Sequence, residues 1–183
     1  MTTVADRPTV GRMDLRRDRQ FEALLAEHGP MLRRIAGSYE ADPEVRRELE
    51  QDILLAVWRA LPRWRGEGPV RAFLARVAHN RAVTHVSREA ARPRRSPLDE
   101  TLASDEPTPH DRVEAEDLRE RLAGAVRQLP LGLRQPAVLT LEGFSPAEIA
   151  PMLGLTANGV SIRLTRARAA LRALMTPEPR DEL

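Results

Sequence analysis

Four arginines, at 163, 166, 168 and 172, stand between Ala157 and Met175 with no acidic residue among them. In the same stretch Val160, Leu164, Ala167, Leu171 and Leu174 recur at helical spacing, a stripe that must face a core. Asn158, Ser161, Ile162, Thr165 and Arg166 are left on the other side. The chemistry open to such a face is non-covalent: guanidinium groups neutralise phosphates, and short side chains reach base edges. Just upstream, Ser145 and Glu148 have the spacing of a capping box, with Pro146 at the first helical position and Ile149 and Leu153 as the apolar side. Gly154 breaks that helix, Leu155 plugs the turn and Thr156 caps the next helix. Helix, tight turn and cation-rimmed helix together have the form that the DNA major groove admits. The plainer alternative is a helical hairpin with a solvated basic face.

Two other surfaces carry chemistry. Arg76 to Arg95 holds six arginines against one acid, Glu89, with His79, Asn80 and Thr84 among them. A second basic element suggests bipartite contact with one long polyanion; the alternative is a solvated helix end. Trp64 and Arg65 precede the turn Gly66–Pro69, and an indole at a loop edge either stacks on an unpaired base or packs between helices. Glu48, Gln51, Asp52, Leu55 and Arg59 fall along one face of a helix expected from Pro43 to Leu61. An acidic strip with an outward leucine fits a partner helix, although scattered surface leucines are also ordinary. Catalytic constellations are weak. The histidines at 28, 79, 85 and 110 lie in three segments, and 79 and 85 are not spaced as ligands on one helix face. No glycine-rich phosphate loop and no nucleophile elbow occurs, so the chain does not read as an enzyme.

The elements that position these groups read as all-α. All 29 basic residues are arginine, 27 residues are acidic, and the formal net charge is +2, so the distribution of charge matters more than its total. Cysteine is absent, which excludes a disulfide framework and a thiolate zinc site, and no cofactor is implied. No apolar run approaches membrane-spanning length, and a cytoplasmic protein without membrane insertion is expected. Aromatics are scarce, which favours small helical bundles over sheets. Helical periodicity is expected from near Leu15 or Phe21 to Ile35 with a possible kink at Gly29-Pro30, from Pro43 to about Leu61, and from Val70 to about Ala90. It resumes near Val113 through Leu118, Leu122, Val126 and Leu129, and then from Leu131 to Leu141 with a break at Pro136. Val45, Leu49, Ile53, Ala56 and Ala60 are the expected core stripe of the second helix. Between Arg92 and Pro109, prolines mix with Ser, Thr, Asp and Glu, the composition of a flexible polar linker. The organisation is therefore one domain at 13–91, a linker at 92–111 and a second domain at 112–176.

Taken together, these segments resemble an extracytoplasmic-function sigma factor, the compact two-domain class of bacterial RNA polymerase specificity subunits. FEALLAEHGPMLRRIA, ELEQDILLAVWRALPRWRGEG and VRAFLARVAHNRAVTHVSRE are similar, in that order, to the family's region 2, a helical bundle. LRERLAGAVRQLPLGLRQPAVLTLEGFSPAEIAPMLGLTANGVSIRLTRARAALR is similar to region 4, its helix-turn-helix. The resemblance implies that Glu48, Gln51, Asp52 and Leu55 dock on the β′ clamp of core RNA polymerase, with the β flap as a further polymerase contact. The family usually has Asp, then Gln-Glu, where this chain has Glu48, then Gln51-Asp52, so charge is kept while reach differs. The resemblance also implies that Trp64, Arg65, Arg76, Asn80, Arg81 and Thr84 read and open the −10 promoter element. Trp64 and Asn80 would supply stacking and edge contacts, and Arg76 and Arg81 phosphate contacts. Asn158, Ser161, Ile162, Thr165 and Arg166 would face the −35 element, with Arg163 and Arg168 on phosphate. Small Ser161, Ile162 and Thr165 stand where larger basic or aromatic groups are common, which shifts the burden toward DNA shape. Partners are then core polymerase, promoter DNA and, as is common in the family, an anti-sigma factor that covers these surfaces. The rival reading is a stand-alone helix-turn-helix regulator that needs no polymerase. The sigma reading would fail if the two ends packed as a single body with the arginine-rich flanks buried.

Overall fold

The computed structural model describes residues 10–66, 68–91 and 110–176, with side chains described from Arg17 in the first helix and from Asp117 in the fourth. Among the described residues there are seven α-helices and no strand. They are α1 (Val10–Gly37), α2 (Pro43–Ala60), α3 (Val70–Ala91), α4 (His110–Gln128), α5 (Leu131–Leu141), α6 (Pro146–Leu153) and α7 (Ala157–Met175), and a 3-10 turn, Leu61–Arg63, follows α2. The expected linker lies almost wholly outside the described residues.

α1 to α3 pack on one another, with α3 against both of the others, and α4 to α7 form a second group around α7. α2 starts where Asp42 accepts from the backbone N–H groups of Glu44 (2.7 Å) and Val45 (3.0 Å), with Pro43 pre-set for the first turn. The same N–H groups, Val45 first, hold the Asp42 carboxyl below its usual range. The face of α2 that turns inward is Leu49, Ile53 and Val57, each at most 1% exposed. Burying a side chain of this size contributes about 1.5–3 kcal/mol. Ala56 and Ala60, expected on this stripe, are only half-buried, and Val57 takes the place between them.

Three expectations need correction. α1 begins at Val10, ahead of the expected start, and runs through Pro30 to Gly37. α5 is not broken at Pro136: it continues to Leu141, with Pro136, Ala137, Val138 and Leu139 all buried. An internal proline removes one helical hydrogen bond and crowds the preceding turn. Four consecutive buried residues offset that cost, and Gly132, four residues back, has no side chain to add to the crowding. The α7 stripe ends at Leu171, and Leu174 is 44% exposed. With 19 residues, α7 outruns α5 and α6, which have 11 and 8.

The two groups touch. One apolar cluster runs from Met31, Leu32, Ile35 and Leu74 across to Val126, Val138, Leu139, Phe144 and Ile149. Arginines frame the seam. The Arg34 guanidinium donates to both Glu142 carboxylate oxygens at 2.6–3.2 Å. Arg127 donates to the Gly37 carbonyl at 2.9 Å, and Arg71 donates to the Glu142 carbonyl. The basic flanks stay outside this seam: Arg76, Arg88, Arg166, Arg168 and Arg172 are all exposed.

Candidate nucleic-acid and polymerase interfaces

The acidic strip on α2 is a surface. Glu48 and Gln51 are exposed and Leu55 is 42% exposed, on the side opposite Leu49, Ile53 and Val57. Asp52 is half-exposed and forms an ion pair with Arg81 of α3. The structure thus joins one residue of the expected polymerase surface to one of the expected −10 surface, a link that sequence spacing does not reveal. Arg81 is less accessible than Arg76 for that reason.

α3 presents Arg76, Asn80 and Thr84 on one exposed line at four-residue spacing, as helical geometry requires. Thr84 donates its hydroxyl to the Asn80 carbonyl at 2.8 Å, so its lone pairs face outward as acceptors. His79 does not belong to this surface. It is 1% exposed and shares a 3.0 Å hydrogen bond with the Tyr39 hydroxyl through Nδ1. Burial pushes its pKa down to about 4 and pushes that of Tyr39 up.

Trp64 closes the 3-10 turn after α2 and lies half-buried against Phe73, with ring centroids 6.2 Å apart at an interplanar angle of 31°. Its indole N–H has no partner among the described residues. Trp64, Arg65, Phe73 and Arg76 line a cleft of about 500 Å³, whose other wall is Glu148, Pro151 and Met152 of α6. An aromatic wall beside arginines can stack a base and hold its flanking phosphates. Phe73 is not among the residues expected at this surface. Its place one turn before Arg76, on the same side of α3, is the signal that was available.

The helix-turn-helix is built as its capping residues dictate. Ser145 accepts from the Glu148 N–H, and Glu148 accepts from the Ser145 N–H at 2.8 Å, which also holds the Glu148 carboxyl below its usual range. Gly154 adopts φ +65°, a conformation that side chains resist, and Thr156 accepts from the Gly159 N–H at 3.1 Å. Val160, Leu164 and Ala167 are buried, and this fixes the rotation of α7. Asn158, Ser161, Ile162, Thr165, Arg166 and Arg168 are consequently exposed, and Arg163 is half-buried at the margin. Ser161 and Thr165 donate back to the Ala157 and Ser161 carbonyls, so their hydroxyls face outward as acceptors. Among the described residues no cluster of three or more His, Cys, Asp or Glu residues could hold a metal ion.

Residues 24–92 match the Sigma-70 region 2 family model and residues 119–171 the Sigma-70, region 4 model. RNA polymerase sigma factor CnrH of Cupriavidus metallidurans is 32% identical over 185 residues, covering 93% of this chain and 94% of that protein. The ECF RNA polymerase sigma factor SigM of Mycobacterium tuberculosis is 29% identical, covering 85% of this chain and 76% of its own. The chain belongs to the extracytoplasmic-function sigma factors. Its function is that of the family, promoter-specific initiation of transcription. In architecture, the sigma factor resembles the solved structure of CnrH in complex with the cytosolic domain of CnrY, with a TM-score of 0.63 and 30% identity over 86% of this chain and 88% of that one. No helix among the described residues is long and apolar enough to cross a membrane.

Proposed function

We propose that residues 13–91 dock this sigma factor on core RNA polymerase and capture the −10 strand, and that residues 112–176 read the −35 duplex, with 92–111 as the tether. Glu48, Gln51, Asp52 and Leu55 meet the β′ clamp, and the β flap takes the second domain. Trp64, Arg65, Arg76, Asn80, Arg81 and Thr84 hold the melted −10 strand. Asn158, Ser161, Ile162, Arg163, Thr165, Arg166 and Arg168 lie on the −35 groove. The observation that supports this most directly is the separation of faces: an exposed acidic strip on α2, and exposed basic faces on α3 and α7, each held out by a buried stripe on its own helix. Strand opening is driven by binding energy to the unpaired strand, and the chain performs no covalent chemistry of its own.

The protein works in the cytoplasm, where polymerase and promoter are. An anti-sigma factor is a natural partner, and the solved structure of CnrH is itself a complex, with the cytosolic domain of CnrY. The test is transcription in vitro with core polymerase and a promoter library. Core-dependent transcripts from a shared −35/−10 pattern are expected. Tight operator binding by the isolated chain, with no core-dependent transcript, would replace this reading with that of a stand-alone regulator.

A further inference from the structure

Ile162 is an apolar side chain on an otherwise polar face. It is 47% exposed, and it is the single large hydrophobic among the residues assigned to the −35 groove, the others being Asn158, Ser161, Arg163, Thr165, Arg166 and Arg168. Neither stability nor packing calls for isoleucine there. An exposed β-branched residue is a poorer helix former than alanine. Val160, Leu164 and Leu171, which pack α7 against the core, lie about 160–180° around the helix from Ile162.

Ile162 is therefore the crest of the exposed face. Asn158 and Arg166, one turn before it and one turn after, stand within about 40° of the same line. Ser161 and Arg163 fall to either side, about 100° away. The crest of a helix in the major groove comes closest to the base edges, and its flanks come closest to the phosphates. Four residues advance about 6 Å along the helix and a base pair advances about 3.4 Å, so the three crest side chains address positions roughly two base pairs apart.

The chemistry of the crest restricts the base at its centre. Asn158 and Arg166 carry hydrogen-bond donors, and Ile162 carries none. In the major groove guanine, adenine and cytosine present acceptors and donors, and isoleucine pressed against them removes their water without a replacement bond. Thymine adds a 5-methyl group, which gains from apolar contact. With four arginines and no acid from Ala157 to Met175, the charge around Ile162 suits a polyanion and not an apolar protein groove.

We propose that Ile162 is a specificity determinant of this sigma factor and packs on the 5-methyl group of one thymine in the −35 element, between the base pairs met by Asn158 and Arg166. This rests on the assignment of the α7 face to the −35 duplex and adds the base that the centre of the face selects. One methyl group moved from water into apolar contact gives a preference of about fourfold.

The test removes the methyl group from the DNA and the isoleucine from the protein. A promoter recovered by in vitro transcription with core polymerase is rebuilt from synthetic strands, with each −35 thymine on either strand replaced in turn by deoxyuridine. Uracil keeps the pairing and the O4 acceptor and lacks only the methyl group. With the wild-type chain, replacement at one position should lower core-dependent transcription by about fourfold. Ile162→Ala should lower transcription from the thymine template by a similar factor and should no longer distinguish thymine from uracil at that position, the mark of a coupled pair. Ile162→Val, still apolar and β-branched, should keep part of the discrimination. Because the residue is exposed and alanine favours helix, the circular dichroism of the variant should match the wild type. Equal wild-type transcription from all thymine and uracil templates overturns the proposal. An undiminished preference for thymine in Ile162→Ala overturns it too, since the methyl group is then read elsewhere. A loss in Ile162→Ala that is the same on both templates, with the wild type indifferent to the methyl group, assigns the isoleucine to a protein partner instead. A recovered −35 pattern made of G·C pairs alone is equally fatal. The two readings fail differently: transcription that ignores the −35 sequence refutes the assignment of the face, and transcription that needs the −35 sequence but ignores the methyl group refutes only the Ile162 contact.

Discussion

Acid should loosen this sigma factor through one buried side chain. His79 lies on the inner side of α3, 1% exposed, bonded to Tyr39 through Nδ1 and with no partner at Nε2 among the described residues. Burial lowers its pKa from 6.5 to about 4, so the folded state holds it neutral while the unfolded chain takes up a proton. The sign follows from linkage. The stability is fully present above the unfolded value of 6.5 and is lost as pH falls toward the folded value. At about pH 5 the unfolded site is nearly saturated and the folded one nearly empty, which costs about 2 kcal/mol relative to pH 7.5. The loss reaches about 3 kcal/mol at the folded pKa and levels off below it. Urea unfolding followed by circular dichroism, run on the wild type and His79→Gln across that range, isolates the effect, because the other histidines are common to both. The wild type should lose about 2 kcal/mol more than the variant between pH 7.5 and 5. Parallel stability curves for the two proteins would show that His79 is not held neutral, and the reasoning would fail.

The remaining predictions concern the surfaces. Asp52→Arg should abolish binding to core polymerase in a pull-down while leaving the helical signal intact; wild-type affinity would remove Asp52 from the docking strip. Arg166→Ala should weaken recognition of the −35 element by about 1–3 kcal/mol. Unchanged transcription across −35 variants would exclude it from that contact. Thr156→Ala removes the cap that receives the Gly159 N–H and should cost about 1 kcal/mol, read as a fall in melting temperature of a few degrees. No shift would mean that another group satisfies the amide.

How far the sequence could be read depended on the range of each interaction. The helix-turn-helix was legible almost to the residue because its determinants are local. Ser145, Glu148, Gly154 and Thr156 act within three or four positions, and each does in the structure what its spacing requires. The rotation of α2 and α7 was legible for a similar reason, since a buried stripe at 3.6-residue period fixes the opposite face. The failures are of another kind. Pro136 reads as a break because its effect on the backbone is local, whereas the burial that carries α5 through it comes from other helices. His79 reads as a member of a basic patch because periodicity does not show that Tyr39, 40 residues earlier, will meet it. Arg34, Arg71 and Arg127 carried no signal at all, since their partners, Glu142 and Gly37, are 71 to 108 positions distant.

The Asp52–Arg81 pair brings these threads to one point. Asp52 belongs to the strip assigned to polymerase, and Arg81 to the set assigned to the −10 phosphates, yet in the free chain each neutralises the other. The pair is partly exposed, so its own contribution to stability is small, about 0–1 kcal/mol, and it is easily exchanged. Seating Asp52 on a basic partner would free Arg81 beside Arg76, at the moment when a phosphate has to be met. Polymerase docking and strand capture then share a residue pair and need no conformational relay between distant sites. On α7 the balance differs. Ser161 and Thr165 have already committed their protons to the helix backbone, so beside the arginines expected on phosphate this face offers a base edge their acceptors, the Ile162 side chain, and Asn158 and Arg166 as donors. Such a surface distinguishes few base pairs directly. Under the proposed assignment of these faces, promoter choice would draw on the shape of the −35 duplex and on what the Trp64 cleft accepts.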